Sequence, residues 1–287
     1  MRAIYERELK ACFLNFTGYV FLAFLLLFAG IYTYVINLAN GVAHYEVTLG
    51  NMAFVYIFAI PLLSMRAFPE ERKQKTDLLL ASLPRSTAEI VGGKYLAGAT
   101  ALLFGVLAMA PVPAVLSFWG EVNFAVAYFA LLAFYLLGAA LLAFGLLVSS
   151  LCDSQAAAAG ICFGAMLLLY FLSDLAGFLP GTALASYLAL LALAAAGAAA
   201  VFWLSRSRAL GLAAAGAGIG GVTLFYLLDK TAFEGLLEKG VNVVSPFQRF
   251  YAVLGGEADL TLIVFDLSAA ALFVFYTVYA VERRRWS

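Results

Sequence analysis

The sequence predicts an all-α polytopic membrane protein with about eight transmembrane helices, on three observations. Hydrophobic residues make up 65% of the 287, charged residues only 12%, and the mean hydropathy is +0.98. A soluble globular chain would carry about a quarter charged residues. Apolar runs long enough to cross a bilayer follow one another with short polar turns between them, leaving little length for a soluble domain. The basic residues are also asymmetric: with the spans placed as below, 14 of the 17 fall on one face, and only Lys230, Lys239 and Arg249 on the other. That bias marks the first face as cytoplasmic. The formal net charge is zero, so no basic field points to nucleic acid.

Residues 1–12 set Arg2, Glu6, Arg7, Glu8 and Lys10 against Ile4, Tyr5 and Leu9. At helical spacing Tyr5, Leu9 and Cys12 share one face, which predicts an amphipathic helix on the membrane surface. This segment carries charges and lacks a small-residue cleavage site, so it is expected to stay on the mature chain. Span one covers roughly 13–37 and leads to a polar turn with Asn40, Gly41, His44 and Glu46. Span two, roughly 50–65, is short, with Pro61 near its inner end. Span three, roughly 94–117, is bent or ended by Pro111 and Pro113. Span four, roughly 123–149, precedes a turn in which Asp153 is expected to cap span five at roughly 156–177.

Span six, roughly 183–204, is built mainly of alanine, which is only marginally favourable in lipid. Span seven, roughly 209–228, carries Gly211, Gly216, Gly218, Gly220 and Gly221, spacings that allow close helix approach. Residues 229–260 mix acids and bases with Phe233, Leu236, Phe247 and Phe250, and short amphipathic helices at the outer interface are expected. Span eight, roughly 261–281, ends in Glu282, Arg283, Arg284 and Arg285.

The polar stretch between spans two and three, 66–93, holds five of the seventeen basic residues. Pro69 suits a first helical position, with Glu70 and Glu71 in the first turn complementing the helix dipole. Leu78, Leu79, Leu80 and Leu83 give the segment an apolar side, Pro84 stops it, and Ser86 with Glu89 forms a capping box for the helix that carries Lys94. Apolar side chains on a charged, capped segment outside the lipid suit a protein surface.

The order Arg66, Glu70, Glu71, Gln74, Thr76, leucines 78–80, Pro84, Ser86, Glu89, Ile90, Gly93 and Lys94 resembles the first cytoplasmic loop of ABC-2 type permeases. These are the type V exporter-like membrane subunits of ATP-driven exporters. The likeness is greatest to their gliding-motility-associated branch, in which glycine usually stands where this chain has Lys75. Ser245, Pro246 and Phe247 are a weaker echo. The resemblance implies one transmembrane permease domain over 1–287, with a six-span core and spans six and seven as an extra hairpin. It also implies an interfacial elbow helix at 1–12, coupling helices at 66–93 and an external amphipathic segment at 229–260. The coupling residues would be Arg66, Glu70, Glu71, Arg72, Thr76, Leu79, Pro84, Ser86, Glu89 and Lys94. The implied partners are a soluble ABC ATPase in two copies, a second permease copy or related membrane subunit, and membrane lipid. The implied place is the inner membrane of a prokaryote, with both termini cytoplasmic.

The chain's own residues offer no catalysis. There is no phosphate-cradling loop of the GxxxxGK[ST] type, and the glycines at 216–221 come without a lysine. No cofactor is expected, since a partner would bind the ATP. Cys12, Cys152 and Cys162 have no pairing or metal spacing, and His44 alone cannot support acid–base chemistry. Asp174 and Asp266 are the ionisable residues within spans. Either they line a substrate path or they sit hydrated at interface depth. Two other functions fit the composition: an ion-coupled secondary transporter, and a non-transporting scaffold of a motility or secretion complex.

Overall fold

The computed structural model describes residues 2–14, 16–76, 86–178, 181–192, 195, 216, 220–221, 223, 226, 233–255 and 260–285. Helices run in the order α1 (Arg2–Leu14), α2 (Thr17–Tyr32, continued by a π-helix Thr33–Leu38), α3 (Tyr45–Met52), α4 (Tyr56–Ser64) and α5 (Pro69–Lys73). Next come α6 (Thr87–Met109), α7 (Val112–Leu116), α8 (Phe124–Leu151) and α9 (Gln155–Gly177). Then follow α10 (Ala183–Ala192), α11 (Leu236–Val244), α12 (Pro246–Leu254) and α13 (Leu260–Arg285). Six continuous helical stretches among the described residues are long and apolar enough to cross a membrane: Thr17–Leu38, Tyr45–Lys73, Thr87–Leu116, Phe124–Leu151, Gln155–Gly177 and Leu260–Arg284. Most of spans six and seven, 183–204 and 209–228, lies outside the described residues.

Residues 1–170 with 246–287 form one compact unit, and 171–245 form a second. The first is built around α8, which packs against α13, α6, α4, α12 and α3. Small residues let its neighbours approach. A methyl group at Gly138 would lie 2.7 Å from Leu102 Cδ2 and 2.8 Å from the Tyr56 hydroxyl. Tyr56 uses that closeness: its ring stacks on Phe134 at 4.3 Å and its hydroxyl donates to the Phe134 carbonyl at 3.0 Å. In the second unit Tyr187 stacks on Tyr226 at 4.4 Å and meets the Thr223 hydroxyl at 3.2 Å. These contacts join the expected start of span six to the expected end of span seven.

Three sequence expectations are corrected. Span two is not short, because the helical run extends from Tyr45 to Lys73. Its polar start is accommodated internally: the buried Thr48 hydroxyl donates to Asn37 Oδ1 at 2.5 Å, and buried Glu46 meets His44 Nδ1 at 2.9 Å. Span one does not run on from residue 13. The backbone turns at Phe16, whose φ of 64° ends α1 and redirects the chain into α2. Asp153 does not cap α9; Ser154 Oγ does, accepting from the Ala157 N–H at 3.1 Å. α12 buries one face against the bundle and exposes Gln248 and Ala252 on the other. Phe247 and Phe250 are fully buried, with Phe250 6.0 Å from Phe134 and Phe247 5.2 Å from Tyr170.

Candidate functional site at the charged end of the bundle

α5 ends the run that forms span two, and α6 brings the chain back beside it. Pro69 opens α5 as expected, and Ser86 caps α6 by accepting the Glu89 N–H at 3.3 Å. α1 packs along α6, with the Tyr5 hydroxyl 3.1 Å from Thr100 Oγ1 and Ile4 seated against Gly93. Charged side chains from three separate stretches therefore converge on one end of the bundle.

Lys94 is the centre of this cluster. Its side chain is only 2% exposed, and its ammonium lies 2.8 Å from Glu71 Oε1 and 3.2 Å from Glu8 Oε1. The third donor goes to the Ala67 carbonyl at 2.8 Å, so all three N–H bonds have acceptors. The Phe68 ring centroid lies 5.4 Å from the same nitrogen. Arg7 closes the set from outside, 2.7 Å from Glu71 Oε1 and 2.5 Å from Glu8 Oε1. Two cations and two carboxylates thus neutralise one another at this end of the bundle. Burial alone would push the Glu8 carboxyl up, but Lys94 and Arg7 outweigh it and hold the group below its ordinary value. Burial likewise works against the Arg7 charge, and Glu8 and Glu71 outweigh it, leaving that guanidinium's pKa raised.

A second node sits at the C-terminus of α8, where helix geometry leaves carbonyls without partners and a partial negative charge. Arg72 donates to the carbonyls of Ser150, at 2.5 Å, and Cys152. Arg284, at the end of α13, donates to the Leu151 carbonyl at 2.8 Å. Both guanidiniums reach Asp153 Oδ1, at 3.3 Å and 2.8 Å, and hold that carboxyl below its ordinary value, Arg284 contributing most. Arg66 forms a third tie, donating to Thr17 Oγ1 at the start of α2 at 2.7 Å.

Of the residues singled out in the sequence, Glu71 and Lys94 meet in the cluster, and Arg66 and Arg72 brace neighbouring helices. Thr76 donates to the Glu71 carbonyl at 3.3 Å. Ser86 and Glu89 form the cap of α6. Leu79 and Pro84 lie outside the described residues. Glu70 faces a cavity and makes no ion pair among the described residues. Sequence reasoning does not single out Arg7, Glu8, Asp153 or Arg284 as site residues. Their only sequence signal is charge at span ends, which the positive-inside count absorbs. Asp174 is exposed and belongs to the second unit. Asp266 belongs to the first, is 1% exposed, and has no hydrogen-bond partner on either oxygen among the described residues. Among the described residues no group of three or more His, Cys, Asp or Glu could hold a metal.

A cavity of about 380 Å³ opens between α2, α3, α9 and α12. Tyr32, Asn51, Phe54, Tyr170, Tyr251 and Leu254 line it, and the Tyr251 hydroxyl donates to the Tyr170 hydroxyl at 3.4 Å. Among the described residues no charged side chain lines it. A search of curated proteins found no match. The model of the ABC-2 family transporter proteins matches residues 19–189, more than half of the chain and all of the first five apolar stretches but the start of the first. The chain is therefore a multi-pass membrane protein that belongs to the ABC-2 family of transporters, as a membrane component without catalysis of its own.

Proposed function

We propose that this chain is the permease subunit of an ATP-driven exporter, moved by a separate soluble ATPase that docks on 66–93. One observation carries this: the described start of the polar stretch, from Arg66 to Arg72, is built into the bundle. Through Arg66 it holds α2, through Glu71 it holds α1 and α6, and through Arg72 it holds the end of α8. Force applied to α5 is thereby delivered to four helices at once, where a loose loop would absorb it. Switching the permease from 1:99 to 99:1 between two states would require ATP to favour one by about 5.5 kcal/mol.

On this reading Arg66, Glu71, Arg72 and Lys94 are internal struts, and the docking contact falls on exposed Lys73, Gln74 and Lys75 and on 77–85. Two permease copies and two ATPase copies, an inner membrane and cytoplasmic termini follow the family pattern. Lys75 has φ 55°, the left-handed backbone that glycine favours, which supports kinship with the gliding-motility-associated branch. The uncharged, tyrosine-lined cavity supports an uncharged amphiphile as cargo. Buried Asp266 favours a second reading, ion-coupled transport without an ATPase.

Affinity purification from native membranes separates the two. ATPase activity should co-elute with the wild-type chain and be lost in Lys73→Glu/Lys75→Glu, with unchanged thermal unfolding. Absence of any ATPase, together with cargo uptake that follows an imposed proton gradient and fails in Asp266→Asn, would establish the second reading instead.

A further inference from the structure

The charged end contains a cavity beside the struts of the proposed coupling role. It has a volume of about 100 Å³; Leu63, Leu142 and Leu146 give it an apolar wall, and Arg66 and Glu70, with the mutually paired Glu8 and Lys94 of the charged cluster, give it a polar one. The polar side is incompletely satisfied. The Arg66 guanidinium carries five N–H bonds. Its one hydrogen bond among the described residues goes to Thr17, and its Nε is buried without a partner. Glu70 lies four residues on, lines the same cavity, and pairs with neither Arg66 nor any other described cation. An unused anion and a half-used cation thus face one amphipathic space at the edge of the apolar stretches. A buried guanidinium N–H left in this condition calls for an acceptor.

We propose that this cavity binds the headgroup of phosphatidylethanolamine, with Arg66 on the phosphate, Glu70 on the ammonium, and the leucine wall against the glycerol and first acyl carbons. The charges select this lipid class. An anionic headgroup would leave Glu70 unpaired beside a second negative charge, and a choline headgroup has no N–H to give it. The site is independent of any ATPase, since it involves only this chain and lipid.

The test uses the purified full chain in nanodiscs of equal parts phosphatidylethanolamine and phosphatidylcholine, with retained lipid identified by native mass spectrometry. Phosphatidylethanolamine should be retained over phosphatidylcholine by about tenfold, the worth of one charge-assisted hydrogen bond. Glu70→Gln should bring the ratio to that of the bulk lipid, without unfolding, because Glu70 supports no internal ion pair among the described residues. Soluble phosphoethanolamine should leave the lipid in place. Retention in bulk proportions, preference for added phosphatidylglycerol, unchanged selectivity in Glu70→Gln, or displacement by free phosphoethanolamine would each overturn the proposal.

Discussion

Replacing Lys94 with methionine keeps the side chain's length and apolar stem but removes the ammonium. Glu71 and Glu8 then keep only Arg7, whose side chain is 48% exposed, while their own side chains are 16% and 19% exposed. The Ala67 carbonyl also loses its donor. Stripping one partner from a buried ion pair costs about 3–5 kcal/mol, and the surviving contact with Arg7 places this case near 3. Nearly all of that is the penalty of stranded carboxylates, so a second substitution should recover part of it. Lys94→Met with Glu71→Gln should be less destabilised than the two single variants summed, by about 1–2 kcal/mol. Denaturant titration in mixed micelles, following tryptophan fluorescence, reads both quantities. A Lys94→Met variant within about 0.5 kcal/mol of wild type would show that the cluster is a solvated surface arrangement and not a buried brace.

The depressed Glu8 pKa gives a pH dependence of definite sign. Its contribution is complete above the unfolded carboxylate value, about 4.3, and is lost as pH falls through the lower folded value. Unfolding midpoints should therefore drop in acid below about pH 4, and Glu8→Gln should flatten that drop. Lys75→Gly relieves a left-handed backbone that costs a non-glycine residue about 1–2 kcal/mol, so it should raise the unfolding midpoint. Gly138→Ala places a methyl against Leu102 and against a Tyr56 ring held by both stacking and a hydrogen bond, and should cost about 1–3 kcal/mol in the same titration.

Hydropathy alone makes most of the bundle legible. Spans four and five fall within two residues of α8 and α9, because uninterrupted apolar runs admit no other solution in lipid. The Pro69 start and the Ser86 cap are also legible, since both depend on residues within one helical turn. What stays hidden depends on distant partners. Glu71 and Lys94 are far apart in the chain, and Arg72 and Arg284 meet the end of α8 from opposite sides of it in sequence. Local pattern carries no trace of such pairs. The length of span two is hidden for the same reason: Glu46 and Thr48 have the character of loop residues, and only His44 and Asn37 beside them make a helix start there tolerable. Asp153 is a cap by residue type, but two arginines claim it and leave that work to Ser154.

Everything in the coupling proposal requires the charged end to face the compartment that holds an ATPase. Single cysteines at positions 73 and 75, in a chain with Cys12, Cys152 and Cys162 replaced by serine or alanine, can be probed with a membrane-impermeant maleimide. Labelling in inside-out vesicles and protection in right-side-out vesicles is the predicted result. Labelling from the right-side-out face would put the charged end beyond the reach of any cytoplasmic ATPase and contradict the account.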